Sequence, residues 1–585
     1  PLDSTFGLLY LCRPLQIKTM NTKFCLSILA FAFSLGILPQ QAKAKRPKAT
    51  KDTLTIVSFN DFHGAFQEEG DVPGAARLAA TIQKIRQEHP NVIVVAGGDN
   101  YSGGYFPRIT QGRPLKEFFE ACQVEYSAIG NHEFDWGIPA MAERLQWGPT
   151  RYIAANIFYY PSSDAAPQSM SNAAPQPAST NTSASTPTPN PTAGKPARLR
   201  PDWAIPYAIK HDTLRNGTPV RIAFIGLSTQ ETKTAALPEI VKDLDFADPV
   251  PMAAQIAEQL QDSAELHILL AHIGTDNQDG RIIFTDAGTD GLSRIKGIDG
   301  IISGHSHKIV CGLKDSVPVV QARNYGRKLA LLQYEISRDK KGHIQSRFLG
   351  ARLMNPGQNE DPDIQRIVNQ YLNDPQYGFQ DVICQNQQAM NPEDLIPGSG
   401  FCLLGSLVTQ SYQDCYLQAK PQDSNKIVIG VCNYGAIRTI LPEGPVNKLQ
   451  AGNIIPFGGV LNAFHLNGQQ VRQLFQYGIN RDLGWLQYHD MEITLDAQDR
   501  IQSIVYTGNG QRIPIQDTGN YIIVTENFLS SGGDGYPTEV FRKRDEAFAK
   551  TDPARRNPTD VFILYLKELE SIDAKAISVP KTLHR

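Results

Sequence analysis

A chain of 585 residues is too long to pack around one ordinary hydrophobic core, so its length predicts two domains. The sequence holds 56 lysine and arginine residues against 59 aspartate and glutamate residues, a formal net charge of -3. This balance argues against the strongly basic surface that binds duplex nucleic acid, and we expect no such partner.

The first 44 residues have the pattern of an export signal. Met20 is a better start than residue 1, so residues 1–19 are interpreted as an upstream extension. Lys23 supplies a positive charge, residues 24–38 form a short apolar run, and residues 42–44 read Ala-Lys-Ala, a small-x-small cleavage site. The apolar run is shorter than the roughly 20 residues that cross a membrane. We predict a signal peptide over residues 20–44 and a periplasmic or secreted mature chain without a transmembrane segment.

Hydrophobic periodicity predicts several elements in chain order. We expect a helix over residues 74–89, a strand over 221–227, a helix over 251–260 and a helix over 361–372. Residues 161–200 differ in composition, since Pro, Ser, Thr, Ala and Asn dominate them. Such a segment cannot bury a core, so we predict a disordered surface insertion there.

Five predicted strands in the first half of the chain end in polar side chains. The strands cover residues 54–59, 91–96, 126–130, 266–271 and 300–304, each an apolar run bounded by turn residues. The polar residues that follow them are Asp61, His63, Asp99, Asn131, His272, His305 and His307. Because α/β sheets bind ligands outside the carboxyl ends of their strands, we expect these seven side chains to share one crevice.

The chemistry of these side chains indicates divalent metal ions. Carboxylate, imidazole and amide ligands suit Mn, Zn, Fe or Mg, and no cysteine lies among the five strand ends. Asp61 with His63, and His305 with His307, are two residues apart, which in extended backbone points both side chains to one side. Seven ligands exceed the need of one tetrahedral ion, so Asp99 is the candidate to bridge two ions. Each residue alone is more often a helix cap or turn residue, but five segments together favour a metal centre.

Six of the eight cysteines lie beyond the predicted signal peptide, at positions 122, 311, 384, 402, 415 and 432. An even number of cysteines in an exported chain permits disulfides. Four of the six crowd between residues 384 and 432, so we expect at least one bridge there. The alternative is a set of buried free thiols, and the sequence leaves any pairing open.

The polar motifs together resemble those of the calcineurin-like metallophosphoesterases. In chain order they are Asp61-x-His63, Gly98-Asp99, Gly130-Asn131-His132-Glu133, the single His272 and Gly304-His305-Ser306-His307. Further motifs in the second half narrow the resemblance to the 5'-nucleotidase family, over nearly all of the chain after about residue 50. The resemblance implies a mixed α/β (α+β) fold. Its parts are a four-layer α/β/β/α sandwich over residues 52–355, a linker helix within 356–379, a smaller α/β substrate domain over 380–570 and a tail over 571–585.

The second half carries three short motifs. A strand over residues 426–431 leads to the first, residues 433–438, and two glycine-rich turns follow at 456–459 and 527–536. Alone, such glycines are turn residues and such phenylalanines belong to cores. The resemblance implies a nucleoside pocket in which Phe457 and Phe528 sandwich the base, Asp534 accepts from the ribose hydroxyls, Asn433 holds the sugar or base, and Arg438 binds phosphate.

Two departures from the family pattern concern phosphate binding. Family members usually carry one or two arginines shortly before the position of Gly405, but residues 397–404 contain no Arg or Lys. The family's Asn-Gly-Gly-Gly-Ile-Arg is also altered, by Tyr434 and Ala436. Both changes weaken the grip on phosphate and leave the preferred substrate open.

The resemblance also implies a mechanism. One ion would take Asp61, His63, Asp99 and His307, and the other Asp99, Asn131, His272 and His305. A water held between the ions would attack phosphorus, and His132, oriented by Asp135, would stabilise the transition state or protonate the leaving group.

The resulting hypothesis is a secreted, monomeric phosphohydrolase with two divalent ions (Zn, Mn, Co, Mg or Fe) that removes phosphate from nucleotides. The enzymatic alternatives are a 2',3'-cyclic-nucleotide phosphodiesterase or a UDP-sugar hydrolase. The alternative from another class is a nucleotide-binding or surface-interaction protein with weak turnover.

Overall fold

The computed structural model describes residues 49–160, 198–396, 400–479 and 484–584. The predicted signal peptide and most of the predicted insertion lie outside these residues. Within them, no helix combines the length and the apolar character needed to cross a bilayer.

The first half of the described chain is built on sixteen strands. In chain order they are β1 Thr50–Phe59, β2 Val92–Ala96, β3 Val124–Ala128, β4 Arg151–Ile153, β5 Ile157–Tyr159, β6 Tyr207–Thr213, β7 Pro219–Ser228, β8 Leu244–Phe246, β9 Leu266–His272, β10 Thr275–Gln278, β11 Arg281–Phe284, β12 Gly300–Ser303, β13 Ile309–Lys314, β14 Val317–Ala322, β15 Leu329–Arg338 and β16 Ile344–Met354. The five strands predicted to end at the polar residues are β1, β2, β3, β9 and β12.

Two six-stranded sheets carry those five strands. One sheet has the order β16-β15-β1-β2-β3-β4 and the other has the order β13-β14-β12-β9-β7-β6. Strands β1, β2 and β3 run parallel to one another in the first sheet, as do β9 and β12 in the second, whereas β15 lies antiparallel to β1 on its other side. The carboxyl ends of the parallel strands therefore meet at one edge of each sheet.

The helices of this half are α1 Gly74–Glu88, α2 Tyr105–Thr110, α3 Arg113–Cys122, α4 Ile138–Arg144, α5 Thr232–Ala235, α6 Pro238–Val241 and α7 Pro249–Leu260. The predicted helices over residues 74–89 and 251–260 are confirmed as α1 and α7. Helix α1 buries Leu78, Ile82 and Ile85 on one face, as its spacing requires.

Alternating side chains on each strand separate four layers. Ile56 of β1 packs between the two sheets with residues such as Ile268 of β9. Its neighbour Val57 points to the opposite face, in one core with Leu78 of α1. On the far side, Leu269 of β9 packs in one core with residues of α7. Because successive side chains of a strand face opposite ways, each sheet packs against helices on one face and against the other sheet on its other face. The implied four-layer α/β/β/α sandwich is confirmed.

The second half holds helix α8 Pro362–Leu372 and a smaller mixed domain. Its strands are β17 Val382–Asn386, β18 Val428–Cys432, β19 Gly444–Asn447, β20 Leu461–Asn467, β21 Gln487–Tyr488, β22 Met491–Leu495, β23 Ile501–Tyr506, β24 Ile513–Pro514, β25 Asn520–Glu526, β26 Ser571–Ile572 and β27 Lys581–His584. Its helices are α9 Leu403–Ala419, α10 Lys448–Ile454, α11 Gly468–Gly478, α12 Asn527–Ser530, α13 Glu546–Ala549 and α14 Pro558–Leu569. The central sheet has the order β20-β25-β18-β21.

Helix α8 and a direct contact join the two halves. The helix predicted over residues 361–372 begins after Asp361, whose side chain accepts from the backbone of Asp363 and Ile364. The boundary proposed near residue 355 falls between β16 and α8, and the boundary proposed near residue 380 falls between α8 and β17. In the direct contact, the backbone N–H of Tyr105 at the start of α2 donates to Asn453 Oδ1 of α10, 3.1 Å away.

The cysteine prediction is wrong in this structure. All six cysteines of the described chain are free thiols. Those between residues 384 and 432 are engaged separately: Cys402 Sγ accepts from the backbone N–H of Gly405 at the start of α9, whereas the Cys415 thiol donates to the Arg555 carbonyl. These four cysteines are close in sequence but form no disulfide with one another.

The residues that border the predicted insertion are paired with each other. The backbone groups of Tyr159 and Leu199 exchange two hydrogen bonds of 2.8 Å, and Arg198 pairs with Asp245 at 2.9 Å. The predicted insertion over residues 161–200 is therefore wrong at residues 198–200, which belong to the described fold, and residues 160 and 198 lie close together.

This pairing predicts that the segment between those ends is dispensable. Replacing residues 162–197 by about six Gly/Ser residues should change Tm by less than about 3 °C, because closure entropy varies slowly with loop length. Thermal unfolding followed by circular dichroism measures this change. As a control, replacing residues 198–200 by Gly/Ser should lower Tm more, since it removes the ion pair with Asp245 and the cation–π contacts with the Phe158 ring. A shortened chain that fails to fold would contradict the prediction.

Candidate active site

The seven predicted metal ligands converge at the carboxyl ends of the two sheets. Asp61 and His63 follow β1, Asp99 follows β2, Asn131 follows β3, His272 ends β9, and His305 and His307 follow β12. The first five of these residues are buried, with no more than 3% of their surface exposed, and the last two are half-buried. The predicted crevice is therefore present in the structure.

The backbone at five of these seven residues is left-handed rather than extended. The φ angles are 50° at Asp61, 50° at His63, 53° at Asp99, 72° at His305 and 58° at His307. Strands β1 and β12 end before the paired ligands, so the expected extended spacing is wrong. Left-handed backbone costs a non-glycine residue about 1 to 3 kcal/mol and is concentrated at functional sites. Surrounding packing and hydrogen bonds must hold these conformations.

One group of ligands consists of Asp61, His63 and His307. The Nε2 atoms of His63 and His307 lie 3.1 Å apart, and His307 Nε2 lies 3.5 Å from Asp61 Oδ1. His63 Nδ1 lies 2.7 Å from the Ser102 carbonyl oxygen, which accepts a hydrogen bond from Nδ1–H and leaves the unprotonated Nε2 to face the group. Burial, and then the neighbouring His132, hold the pKa of His63 well below its usual value. His63 is thus a neutral imidazole, the form that binds metals.

A second group consists of Asp99, His272 and His305, with Asn131 among them. Asp99 Oδ2 lies 3.1 Å from His272 Nε2, and Asn131 Oδ1 lies 3.2 Å from His272 Nε2 and 2.9 Å from His305 Nδ1. Asp99 also forms a compact group with His63 and His132. Burial opposes the charge of Asp99, but His272 and His132 hold its pKa well below the usual range.

These groups fit divalent cations. Carboxylate and imidazole atoms of each group lie within 4.8 Å of one another, so that a single ion could contact all of them. Oxygen and imidazole nitrogen donors together suit borderline and hard divalent metals. Asp99 lies between the two groups, where a shared ligand has to be.

Glu133 fixes the loops that carry Asp99 and Asn131. Its Oε2 accepts from the backbone N–H groups of Asp99 at 2.9 Å and Gly130 at 2.6 Å, and its Oε1 accepts from Asn100 at 2.8 Å. Burial, followed by the Asp99 charge, raises the pKa of Glu133 to about 7. A side chain at Gly130 would collide with the Asp99 carboxylate. Glu133 was quoted only as part of a motif in the sequence, and its supporting role emerges from these contacts.

His132 and Asp135 form the predicted dyad. His132 Nδ1 lies 2.9 Å from Asp135 Oδ2, which also accepts from Ser102 Oγ at 2.6 Å. Burial opposes the charged form of His132, but the Asp135 and Asp99 carboxylates outweigh it and raise its pKa. The dyad therefore favours the imidazolium form of His132 more than a free histidine would, beside the candidate metal ligands.

A cavity of about 300 Å³ extends from this centre into the second domain. The five predicted pocket residues all line it: Asn433, Arg438, Phe457, Phe528 and Asp534. The Phe457 ring stacks on the His132 ring with centroids 5.4 Å apart and planes at 12°. Asn433 Nδ2 donates to Asp534 Oδ2 at 2.7 Å. The structure thus brings the predicted pocket and the predicted dyad into one cavity.

Arg438 acts on the histidines across the domain boundary. Its guanidinium lies 5.4 Å from the Phe457 ring centroid. Burial is the main cause of the lowered pKa values of His63 and His307, and the charge of Arg438 adds to it. The same charge, together with burial, opposes the rise in the pKa of His132. Its Nε and Nη2 are buried without a hydrogen-bond partner among the described residues. Arg438 is therefore placed to meet an anion beside the candidate metal centre.

Two further cavity residues were missed from the sequence. Glu526, buried at the end of β25, accepts from the Tyr412 hydroxyl, and burial raises its pKa to about 7. Its position next to Asn527 of a recognised motif could have identified it. Arg108 of α2 also lines the cavity. No local pattern distinguishes Arg108 from a surface arginine.

Comparisons with known proteins agree with this architecture. A family model described as "Calcineurin-like phosphoesterase" matches residues 54–309, and one described as "5'-nucleotidase, C-terminal domain" matches residues 393–541. A snake venom 5'-nucleotidase of Naja atra is 24% identical over 83% of this chain and 91% of that protein. The trifunctional nucleotide phosphoesterase protein YfkN of Bacillus subtilis is 24% identical over 89% of this chain, which spans 34% of that protein.

A solved structure shares the fold. The 5'-nucleotidase precursor of Thermus thermophilus superposes with a TM-score of 0.67 at 21% identity, covering 91% of this chain and 99% of that chain.

Removal of the Asp99 carboxylate should disrupt metal binding, because this residue belongs to the second ligand group and also lies close to His63 of the first. We expect Asp99→Asn to lose at least half of the divalent metal that the wild type retains after dialysis, together with its phosphoesterase activity. The number of metal ions per chain is measured by inductively coupled plasma mass spectrometry. The matched control is Asp262→Asn, which changes an exposed carboxylate. Full metal content with wild-type turnover in Asp99→Asn would refute this role.

Proposed function

The chain belongs to the 5'-nucleotidase family of metal-dependent phosphoric ester hydrolases, and we propose that it is a secreted enzyme that removes phosphate from nucleotides. The observation that carries this proposal is the single cavity lined by His132 and Asp99 on one side and by Phe457, Phe528 and Asp534 on the other. Such a cavity holds a reacting phosphate and a nucleoside at the same time.

The metal-binding residues would hold two divalent ions, drawn from Zn, Mn, Co, Mg or Fe. Asp61, His63, Asp99 and His307 would bind one ion, and Asp99, Asn131, His272 and His305 the other. The chemistry supplied by such ions is polarisation of phosphoryl oxygens and activation of a water for in-line attack.

The His132 dyad would manage the proton of the reaction. Asp135 accepts from Nδ1 of His132 and fixes the orientation of its ring, which would leave Nε2–H for the substrate. The raised pKa of His132 favours the proton-bearing form. We propose that Nε2 donates to the phosphoryl group as charge develops, or to the leaving oxygen as the ester bond breaks.

The second domain would select the substrate. Phe457 and Phe528 would stack on the base, which contributes about 1 to 3 kcal/mol per stacked base and tolerates different bases. Asp534, oriented by Asn433, would accept from ribose hydroxyls, and Arg438 would bind phosphate through its planar guanidinium. We propose that the enzyme works as a monomer, because residues of both domains of one chain line this cavity.

Export is supported by the predicted signal peptide and by the similarity to a protein of venom, which is a secreted fluid. We propose a periplasmic or secreted location on these two grounds.

His132→Gln should lower kcat by about 100-fold or more, the usual size of a general acid–base contribution. Glutamine keeps a polar side chain but carries no transferable proton at neutral pH. Phosphate release from a nucleoside 5'-monophosphate gives the rate, and metal content should stay at the wild-type level. The control is His343→Gln, since His343 is exposed and pairs only locally, with Asp339. Loss of metal in His132→Gln would make this residue a ligand instead.

The nucleotide assignment is tested with the double variant Phe457→Ala/Phe528→Ala. Purified residues 45–585 are assayed with mono-, di-, tri- and cyclic nucleotides, nucleotide sugars and a small phosphate ester without a base, in Mn, Zn, Co and Mg. We expect the double variant to raise KM for nucleotides by about tenfold or more, since stacking is lost. The KM for the phosphate ester without a base should rise much less. An equal rise in KM for nucleotides and for the ester would mean that the phenylalanines serve packing rather than base stacking. A wild type that is inactive on every nucleotide would refute the proposed function.

A further inference from the structure

We infer that Arg108 is a specificity residue that binds an anionic group of the substrate other than the phosphate under attack. Substrates that carry a second phosphate, such as nucleoside diphosphates, would then be preferred over monophosphates. This inference rests on the proposed nucleotide phosphohydrolase activity and concerns the same cavity.

Arg108 reaches the cavity from the first domain. It lies in the last turn of α2, and its side chain is only 16% exposed. Its Cδ would lie 3.9 Å from a Cβ placed on Gly458, the residue after Phe457. The Tyr105 ring lies 5.1 Å from its guanidinium carbon and gives it a cation–π contact. The side chain is therefore held against the turn that carries the proposed base-stacking ring.

The guanidinium of Arg108 has unused hydrogen-bond donors. Its Nε and Nη2 are buried and have no hydrogen-bond partner in the described part of the chain. The neighbouring carboxylate, Asp560, lies 3.9 Å from Nη2, too far for a hydrogen bond. Burial lowers the pKa of Arg108, as expected for a desolvated cation. A largely buried guanidinium that lines a cavity and has no hydrogen-bonded carboxylate among the described residues favours an anionic ligand in that cavity.

The two cavity arginines serve different positions. Arg438 lines the cavity together with His132 and His307 and lines a neighbouring pocket together with His63, so it lies on the side of the candidate metal ligands. The charged and ionisable neighbours of Arg108 are instead Asp560 and Tyr105. Arg438 lies over the Phe457 ring, whereas Arg108 lies against Gly458. A substrate with two phosphates could place one at Arg438 and the metal ligands and the other at Arg108.

Arg108 also accounts for a feature of the sequence. Residues 397–404 lack the arginines that family members usually carry, which weakens phosphate binding from the second domain. A cation supplied by α2 of the first domain compensates for part of this loss.

A purely structural role for Arg108 would act through Asp560. The pair spans the two domains, since Asp560 lies in the first turn of α14. Asp560 is 47% exposed, and a half-exposed pair at 3.9 Å contributes little to stability. The variant Asp560→Asn separates the two roles, because it removes the pair but leaves the donors of Arg108.

The test compares kcat/KM for ADP and AMP in the wild type, Arg108→Gln, Arg108→Lys and Asp560→Asn. We expect Arg108→Gln to lower the ADP-to-AMP ratio by about tenfold, mainly through KM for ADP, the size of one lost charge-assisted hydrogen bond. Arg108→Lys should restore part of the ratio, because it keeps the charge without the planar fork. Arg113→Gln, at an exposed arginine of α3, is the matched control and should leave the ratio unchanged. Tm is measured for each variant.

Three outcomes would overturn the inference: an unchanged ratio in Arg108→Gln, equal losses on ADP and AMP, or the same change in Asp560→Asn. A wild type that hydrolyses neither nucleotide would count against the proposed function instead. Calorimetric titration with ADP and AMP then decides the role of Arg108 by binding alone. An ADP preference that Arg108→Gln abolishes supports the inference, and the absence of such a preference or of binding refutes it.

Discussion

The candidate active site depends on one buried carboxylate, that of Glu133. It accepts from the backbone N–H groups of Asp99, Asn100 and Gly130, and so joins the loop after β2 to the loop after β3. A buried N–H group left without a partner costs about 1 to 3 kcal/mol, so three of them on one side chain make its loss severe. Asp61 links the two sheets in a similar way, since its carboxylate accepts from the backbone N–H of His305. The protein itself therefore positions the ligands.

This frame explains how the chain tolerates so much left-handed backbone at one place. Five of the seven candidate ligands have positive φ angles, each an unfavourable local choice for a residue with a side chain. Two packed sheets and the carboxylate-to-backbone hydrogen bonds supply the compensating energy. The result is a set of imidazole and carboxylate groups directed inward over a short distance, a geometry that regular strand ends would not produce.

The division of labour between the domains follows from what each contributes to the cavity. The first domain supplies the candidate metal ligands, the His132 dyad and Arg108, while the second supplies the aromatic rings, Asp534 and Arg438. Two contacts hold the two sets of residues in position across the cavity. Phe457 stacks on His132, and the backbone N–H of Tyr105 donates to Asn453. In the proposed function, substrate choice would be set where the domains meet, whereas the chemistry would be set by the first domain.

The sequence by itself determined the strands that end at the site, the amphipathic helices α1, α7 and α8, and the identity of the seven polar residues that converge. These features depend on local periodicity and on short motifs, which a linear chain displays directly. Only the tertiary structure decided the left-handed conformations, the supporting role of Glu133, the free state of Cys402 and Cys415, and the place of Arg108 in the cavity. Each of these depends on groups that are distant in sequence, such as Arg108 and Gly458, and packing alone brings such groups together.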